Sequence, residues 1–275
     1  MKIKEQVITS RANPLVSAVA GLEKKRERDK RGLFCCDGKK LCFEYIKNCG
    51  APLHLFVNEK NSGTLLPELE MAERVCGVEL EVTLTGDGAF SKMTEQKAPD
   101  GIICVGEKEK LAHERVLEFE GNFDGERIIM LDSLRDTGNV GTVIRTALAF
   151  GFDRVVLSSD CADIYSAKTL RASMGAIFCM KITVTDSLCD AVHYFTEHGR
   201  RVFAAELRDN AVSLDDTDIR ESDIFIIGNE GHGIEDEVSA LCRKSVYIPI
   251  SERSESLNAA VAASVIMWHQ RMSFR

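Results

Sequence analysis

From Arg127 to the end of the chain, short and almost wholly apolar runs alternate with stretches of helical period. In order these are RIIMLD, a helix over about 139–150, RVVLSS, a helix near 165–174, FCMKITV, a helix near 187–198, RVFAAEL, DIFIIG, a helix near 234–241, SVYIPI and a last helix over about 256–272. A strand with apolar side chains on both alternating faces must be covered on both sides, the condition of a parallel strand in a sheet carrying helices on each face. This half predicts an α/β domain on a mostly parallel sheet. No apolar run reaches the roughly 20 residues of a bilayer span, and the opening MKIKEQVITSRANP lacks the apolar core of a secretion signal. A cytoplasmic protein with no membrane partner is expected.

Before this alternation the pattern is shorter. LHLFVN (53–58), VELEVTL (78–84) and GIICVG (101–106) predict strands, and helical stretches fall near 14–29, 38–48 and 65–75. That is a small α/β domain over 1–106. Charged and Gly/Asp-containing text over 107–124 predicts a linker, and 125–275 forms the second domain.

Composition removes several functions. The ten cysteines include the adjacent pair Cys35-Cys36 but form no C-x-x-C, and the six histidines form no H-x-x-x-H, so no metal site is expected. Most of the thiols are expected to be reduced core residues. The net charge of −8 speaks against nucleic acid until its distribution is considered. The first 107 residues hold 16 Lys and Arg against 16 Asp and Glu, leaving 19 against 27 for the remainder. Within the neutral part, KKRERDKR (24–31) and Lys39-Lys40 concentrate positive charge. Such a segment is either a solvated helix face laced by pairs such as Glu27 with Arg31 or a phosphate-contacting patch.

Three segments carry candidate chemistry. DTGNVGTVIRTALAFG (136–151) places glycines after a strand, but Gly138 and Gly141 do not complete the G-x-G-x-x-G that a pyrophosphate requires. Arg145 there is either an ion-pair partner at the core edge or a residue aimed at a ligand. IFIIGNEGHGI (224–234) ends an apolar strand in Gly228-Asn229-Glu230-Gly231, which is either a plain strand-to-helix turn with Glu230 a solvated N-terminal acid or a sharp loop at a strand's carboxyl end, where such sheets bind ligands. In YIPISERSESLNAAVAASVIMW (247–268), Ser256 is the expected N-cap and Leu257, Val261, Val265 and Trp268 the expected core stripe, with Ala259, Ala260, Ala262 and Ala263 permitting close packing.

Taken in order, Asn139 with Arg145, Gly228-Asn229-Glu230-Gly231, and IPI followed by Ser256-Leu257-Asn258 resemble the three motifs of the SpoU-type branch of the SPOUT methyltransferases. YSAKTLRASMGAIF (165–178) is similar to that family's connecting stretch. ITSRANPLV, the basic helix, GLFCCDGKKLCFEYI and APDGIICV resemble the small L30e/L7Ae-like substrate-binding domain of many members. Here Cys35-Cys36-Asp37-Gly38-Lys39 stands in the E/D-G-x-K region, and APDG replaces the more usual Thr-Pro-Gln-Gly.

The resemblance implies a deep trefoil knot in the second domain, S-adenosylmethionine as cofactor, a homodimer, and methyl transfer to a ribose 2′-hydroxyl of structured RNA, ribosomal RNA before transfer RNA. Alternatives of the same fold are a transfer-RNA 2′-O-methyltransferase, a base methyltransferase and a catalytically silent RNA-binding member. The implied cofactor residues are Gly228, Asn229, Glu230, Gly231, Ile248, Pro249, Ile250, Ser256, Leu257 and Asn258. Arg145 is the residue implied at the hydroxyl, organised by Asn139, Glu230, Ser256 and Asn258. The implied RNA contacts are Arg11, Asn13, Lys24, Lys25, Arg26, Arg28, Lys30, Arg31 and Lys39.

Overall fold

The computed structural model describes residues 1–116, 119–120 and 122–273. The chain divides into two compact units, Met1–Leu111 with Tyr165–Cys179, and Ala112–Ile164 with Met180–Arg275. Among the described residues no helix is long and apolar enough to cross a membrane.

The first unit begins with β1 (Lys2–Ile3), α1 (Pro14–Gly21), α2 (Lys25–Arg31), β2 (Leu33–Asp37), α3 (Lys39–Cys49), β3 (His54–Asn58), α4 (Ser62–Cys76), β4 (Glu81–Thr85), α5 (Asp87–Met93) and β5 (Ile102–Glu107). The strands lie in the order β1-β4-β3-β5-β2, parallel from β1 to β3, with β5 antiparallel to both its neighbours. Val16 and Val19 of α1 and Phe90 and Met93 of α5 pack on Phe56 of β3 and on Ile103 and Val105 of β5. The single helix expected over 14–29 is two, because the backbone at Lys24 is extended. Arg28 explains the break: it is 4% exposed and donates from Nη1 to the carbonyls of Leu22 and Glu23, 2.6 Å each, just past the end of α1.

All ten cysteines are free, but only Cys36, Cys42, Cys104 and Cys161 are fully buried, fewer than expected. Cys36 faces Cys104 across β2 and β5. Burial pushes the Cys36 thiol up to about 11, which suppresses thiolate chemistry there near neutral pH.

The remainder runs β6 (His113–Val116), β7 (Ile128–Leu131), α6 (Thr137–Phe150), β8 (Arg154–Ser158), then α7 (Ala167–Ser173) within the first unit, β9 (Lys181–Thr185), α8 (Leu188–Glu197), β10 (Val202–Ala205), β11 (Val212–Ser213), β12 (Ile224–Ile227), α9 (Asp236–Leu241), β13 (Lys244–Tyr247) and α10 (Ala259–Met272). The second unit's eight strands are all parallel, in the order β11-β13-β10-β12-β7-β8-β9-β6. Much of the stretch expected as a linker over 107–124 is built into this unit. β6 is its edge strand, and Phe119 and Phe123 are buried against Tyr194 and Phe195 of α8.

Both faces of the sheet are covered, as the apolar strands require. Ile128, Met130, Val156, Ala204 and Ile226 pack under α8 and α9. Ile129, Leu131, Val155, Leu157, Phe225 and Ile227 point the other way and are equally buried, on the side where α6 and α10 meet β8 and β12. From β7 the chain builds outward through β8 and β9, and β12 later joins the opposite edge of β7. Strand order therefore reverses between β7 and β12, and ligands bind beyond the carboxyl ends of strands at such a point.

The last helix differs from its expected form in two respects. It starts at Ala259, with Asn258 as N-cap accepting from the N–H groups of Ala260 and Val261 at 3.0 and 3.2 Å, while Ser256 stays in the preceding loop. Such a cap is worth about 1 kcal/mol. Its buried face is Ala259, Ala260, Ala263, Ile266, Met267 and Gln270, whereas Val261, Val265 and Trp268 of the expected stripe are 48%, 36% and 45% exposed. Alanines let α10 approach α6 and β12 closely, so the bulkier side chains turn outward.

Candidate functional site

The reversal point is occupied by two segments locked to each other. After β7, Asp132 is 2% exposed and Ser133 has φ of +51°. After β12, Asn229 donates from Nδ2 to the carbonyl of Ser133 at 2.7 Å and accepts at Oδ1 from the N–H groups of Gly231 and His232, at 2.8 and 3.3 Å. Asn229 and Gly233 exchange backbone hydrogen bonds of 2.9 Å in both directions. Asp132 closes the loop by accepting the Glu235 N–H at 2.9 Å. Gly228 is obligatory: a Cβ there would lie 2.4 Å from the Gly233 carbonyl carbon and 2.6 Å from Ile234 N. Burial pushes the Asp132 carboxyl above the usual range.

Glu230, at the tip of this loop, is not the solvated acid of a helix N-terminus, since α9 begins six residues later at Asp236. It accepts a hydrogen bond from Asn139 Nδ2. Asn139 in turn accepts at Oδ1 from Asn258 Nδ2 at 3.0 Å. Residues from all three motifs thus form one chain, Asn258 to Asn139 to Glu230. Asn139 is fixed because the Asp136 carboxylate caps α6 by accepting its N–H at 2.7 Å. Gly138 and Gly141 therefore lie inside a helix whose N-terminus already holds an anion, which removes the phosphate-cradle reading. Arg145 is exposed on α6 and, among the described residues, makes no hydrogen bond or ion pair.

Beside this chain lies a cavity of about 530 Å³, walled by Ala205–Leu207 at the end of β10, by 246–252 and 254–257, and by Ala262 and Ile266 of α10. Its size is that of small-molecule pockets, roughly 300–1,000 Å³. Ile248, Pro249, Ile250, Ser256 and Leu257 of the expected cofactor residues line it; Gly228 to Gly231 shape the neighbouring loop instead. The charged residues in the wall are Glu206, Glu252 and Glu255, which favours a ligand carrying positive charge. Asp132 and Glu206 were not singled out from the sequence. The signal available for both was an acid immediately after an apolar strand.

Residues 126–268 match the SpoU rRNA Methylase family, and residues 13–104 match the MRM3-like substrate binding domain. The chain belongs to the SpoU rRNA methylase family. A relative, the 23S rRNA (guanosine(2553)-2′-O)-methyltransferase RlmP of Bacillus subtilis, is 32% identical over 96% of this chain and 98% of its own length. A solved structure of a TrmH-family protein from Porphyromonas gingivalis, 27% identical, superposes with a TM-score of 0.75 over 95% of this chain and 98% of that one. An rRNA methyltransferase from Sinorhizobium meliloti, solved with AdoMet bound, shares the fold at 24% identity and a TM-score of 0.78, covering 99% of each chain.

The SpoU-family chain distributes its expected RNA contacts unevenly. Arg11, Lys24, Lys25, Arg26 and Lys30 are exposed. Arg31 is paired with Glu27 at 3.2 Å and Lys39 with Glu68 at 2.6 Å. Asn13 is occupied as the N-cap of α1. Arg28 leaves the basic patch, because its buried guanidinium serves the carbonyls at the end of α1. Among the described residues no group of three or more His, Cys, Asp or Glu side chains is arranged to hold a metal ion.

Proposed function

We propose that this SpoU-family chain transfers a methyl group from S-adenosylmethionine to a ribose 2′-hydroxyl of ribosomal RNA, working in the cytoplasm as a homodimer. The observation that carries the reading is the Asn258–Asn139–Glu230 chain, anchored at the end of the loop that walls the cavity. The cavity fits the cofactor: apolar walls at Ile248, Pro249 and Ile250 suit an adenine face, and the carboxylates of Glu206, Glu252 and Glu255 suit a cation. When bound, S-adenosylmethionine supplies an electrophilic methyl on a positively charged sulfur.

The protein's own task is to line up the attacking oxygen and manage its proton. Arg145 does not serve as a base, since a guanidinium does not release its proton near neutral pH. It binds the adjoining phosphate and stabilises negative charge growing on the hydroxyl oxygen, while phosphate or water takes the proton. Asn139 is held by Asn258 and Glu230, and Ser256 stands at the cavity edge. Gly228, Asn229 and Gly231 present Glu230. Arg11, Lys24, Lys25, Arg26 and Lys30 of the first unit meet RNA phosphates, and the RlmP relative favours a ribosomal target.

A second copy covers the outward face of α10, where Val261, Val265, Trp268 and Met272 follow helical spacing and are each at least 36% exposed. The second unit is proposed to carry the trefoil knot that the family resemblance implies; Gln270, 1% exposed, ties α10 to the segment before β12 by donating from Nε2 to the carbonyls of Arg220, Glu221 and Asp223.

Mapping 2′-O-methyl marks in ribosomal RNA from cells with and without the protein identifies the nucleotide. A fragment carrying one 2′-deoxy residue at that position is expected to bind and receive no methyl group. Arg145→Ala is expected to keep cofactor affinity while transfer falls by a factor on the order of 10² to 10³, with poor rescue by Arg145→Lys. Methylation of the deoxy fragment would exclude ribose chemistry, and near-normal turnover by Arg145→Ala would move the catalytic role elsewhere.

A further inference from the structure

Glu206 directly follows β10 at that strand's carboxyl end and lines the 530 Å³ cavity. Its side chain is only 10% exposed. One carboxylate oxygen, Oε1, accepts from Ser239 Oγ of α9 and from Ser245 Oγ of β13, the latter at 2.7 Å, and is ion-paired with Arg208 Nε at 2.8 Å. The backbone is held as well, the Glu206 N–H donating to the Val246 carbonyl at 2.9 Å. Two hydroxyl donors and the guanidinium occupy Oε1 and hold the carboxylate in place. Oε2 has no hydrogen-bond partner among the described residues. Arg208 is shared with Asp236 at 2.8 Å, so the Glu206–Arg208–Asp236 group keeps a net negative charge.

We propose that Glu206 Oε2 accepts a hydrogen bond from the ribose hydroxyls of the adenosine moiety in this cavity, making Glu206 a cofactor-binding residue. The inference rests on the cofactor assigned above. An ionised carboxylate is an acceptor only, so its partner must be a donor. On an adenosyl ligand the ribose diol offers two donors close together. The placement has a physical precedent: in open parallel sheets an acid beyond a strand's carboxyl end takes the ribose hydroxyl of a bound nucleotide. A carboxylate already pinned through one oxygen loses little side-chain freedom on binding, so most of the charge-assisted bond appears as affinity.

The test is calorimetry on the full chain with S-adenosylhomocysteine and its 2′-deoxy and 3′-deoxy ribose analogues, using wild type, E206Q and E206A. Wild type is expected to bind at least one deoxy analogue about 10- to 100-fold more weakly than the parent. E206A is expected to weaken the parent by a similar factor and erase the discrimination. E206Q retains an oxygen for Ser239, Ser245 and Arg208, so it is expected to melt near wild type while the discrimination shrinks, which separates ligand contact from folding. Equal wild-type binding of all three ligands, or full discrimination in E206Q, overturns the proposal. So does a loss in E206Q confined to S-adenosylmethionine, titrated alongside as a fourth ligand, which would put the carboxylate at the sulfonium. Absence of any S-adenosylhomocysteine binding by folded wild type would instead remove the cofactor reading itself, and this inference with it.

Discussion

Asp132 sits 2% exposed at the end of β7, and its carboxylate holds the Glu235 N–H at the base of the loop that carries Glu230. Burial is the largest influence on it and raises its pKa. A carboxyl whose folded pKa lies above its unfolded value holds a proton in the native state that the unfolded chain has already released. Stability therefore falls as pH rises from about 3.9, the unfolded value, through the raised folded value, and the penalty then persists. Asp132→Asn keeps an acceptor for Glu235 and removes the ionisation. Because every other titrating group is common to both proteins, the melting temperature of Asp132→Asn is expected to gain on the parent's as pH rises from about 4 to about 8. A variant with the parent's slope would refute this account. At this scale Asn139, Glu230 and Asn258 were legible through their resemblance to the three family motifs. Asp132 and Glu206 were not, since their partners at Glu235, Ser239 and Ser245 are brought to them by the sheet and not by proximity in the chain.

Among the elements, α2 shows how one charged run can hold two kinds of residue. Lys24, Lys25, Arg26 and Lys30 are exposed, while Arg28, two to four residues from each of them, points into the core. Replacing Lys24, Lys25 and Arg26 with Ala is expected to weaken RNA binding and reduce the slope of log affinity against log salt by about 0.7 to 0.9 for each lost phosphate contact. Arg28→Ala leaves two carbonyls without their charged donor and is expected to cost about 1–3 kcal/mol of stability. Salt titrations of RNA binding and denaturant melts separate the two effects. An unchanged salt slope in the triple variant would return these residues to a solvated face. α10 carries the same lesson in apolar form: its period was legible, but which side of the helix is buried depended on how closely α6 and β12 approach it.

For the molecule as a whole, that outward face is where a second copy is proposed to pack. Trp268 is 45% exposed on α10, and Phe150 of α6 lies against it with ring centroids 5.6 Å apart. Trp268→Glu puts a charge where a second copy is proposed to pack, and its burial unpaired would cost several kcal/mol. Wild type is expected to sediment as a dimer and Trp268→Glu as a monomer at the same concentration, with the fold intact by circular dichroism. A wild-type monomer, or an undisturbed dimer in the variant, would place the interface elsewhere.

Local order determined much of this protein before any tertiary information entered. A strand's alternation and a helix's period are properties of neighbours a few residues apart, so the parallel sheet, its sequence of helices and the three polar strand ends could be read directly. Other features depended on chain segments roughly a hundred residues apart. The Asp132–Glu235 and Ser133–Asn229 contacts form because β7 and β12 are adjacent in the sheet. The edge strand at His113–Val116 exists because β9 offers it a partner, since its own charged sequence HERV has no apolar face to demand burial. Asn258 in place of Ser256 caps α10, and Asn139 on α6 also takes its side-chain amide. Either residue satisfies the local rule for a cap, and the contact across 119 residues of chain distinguishes them.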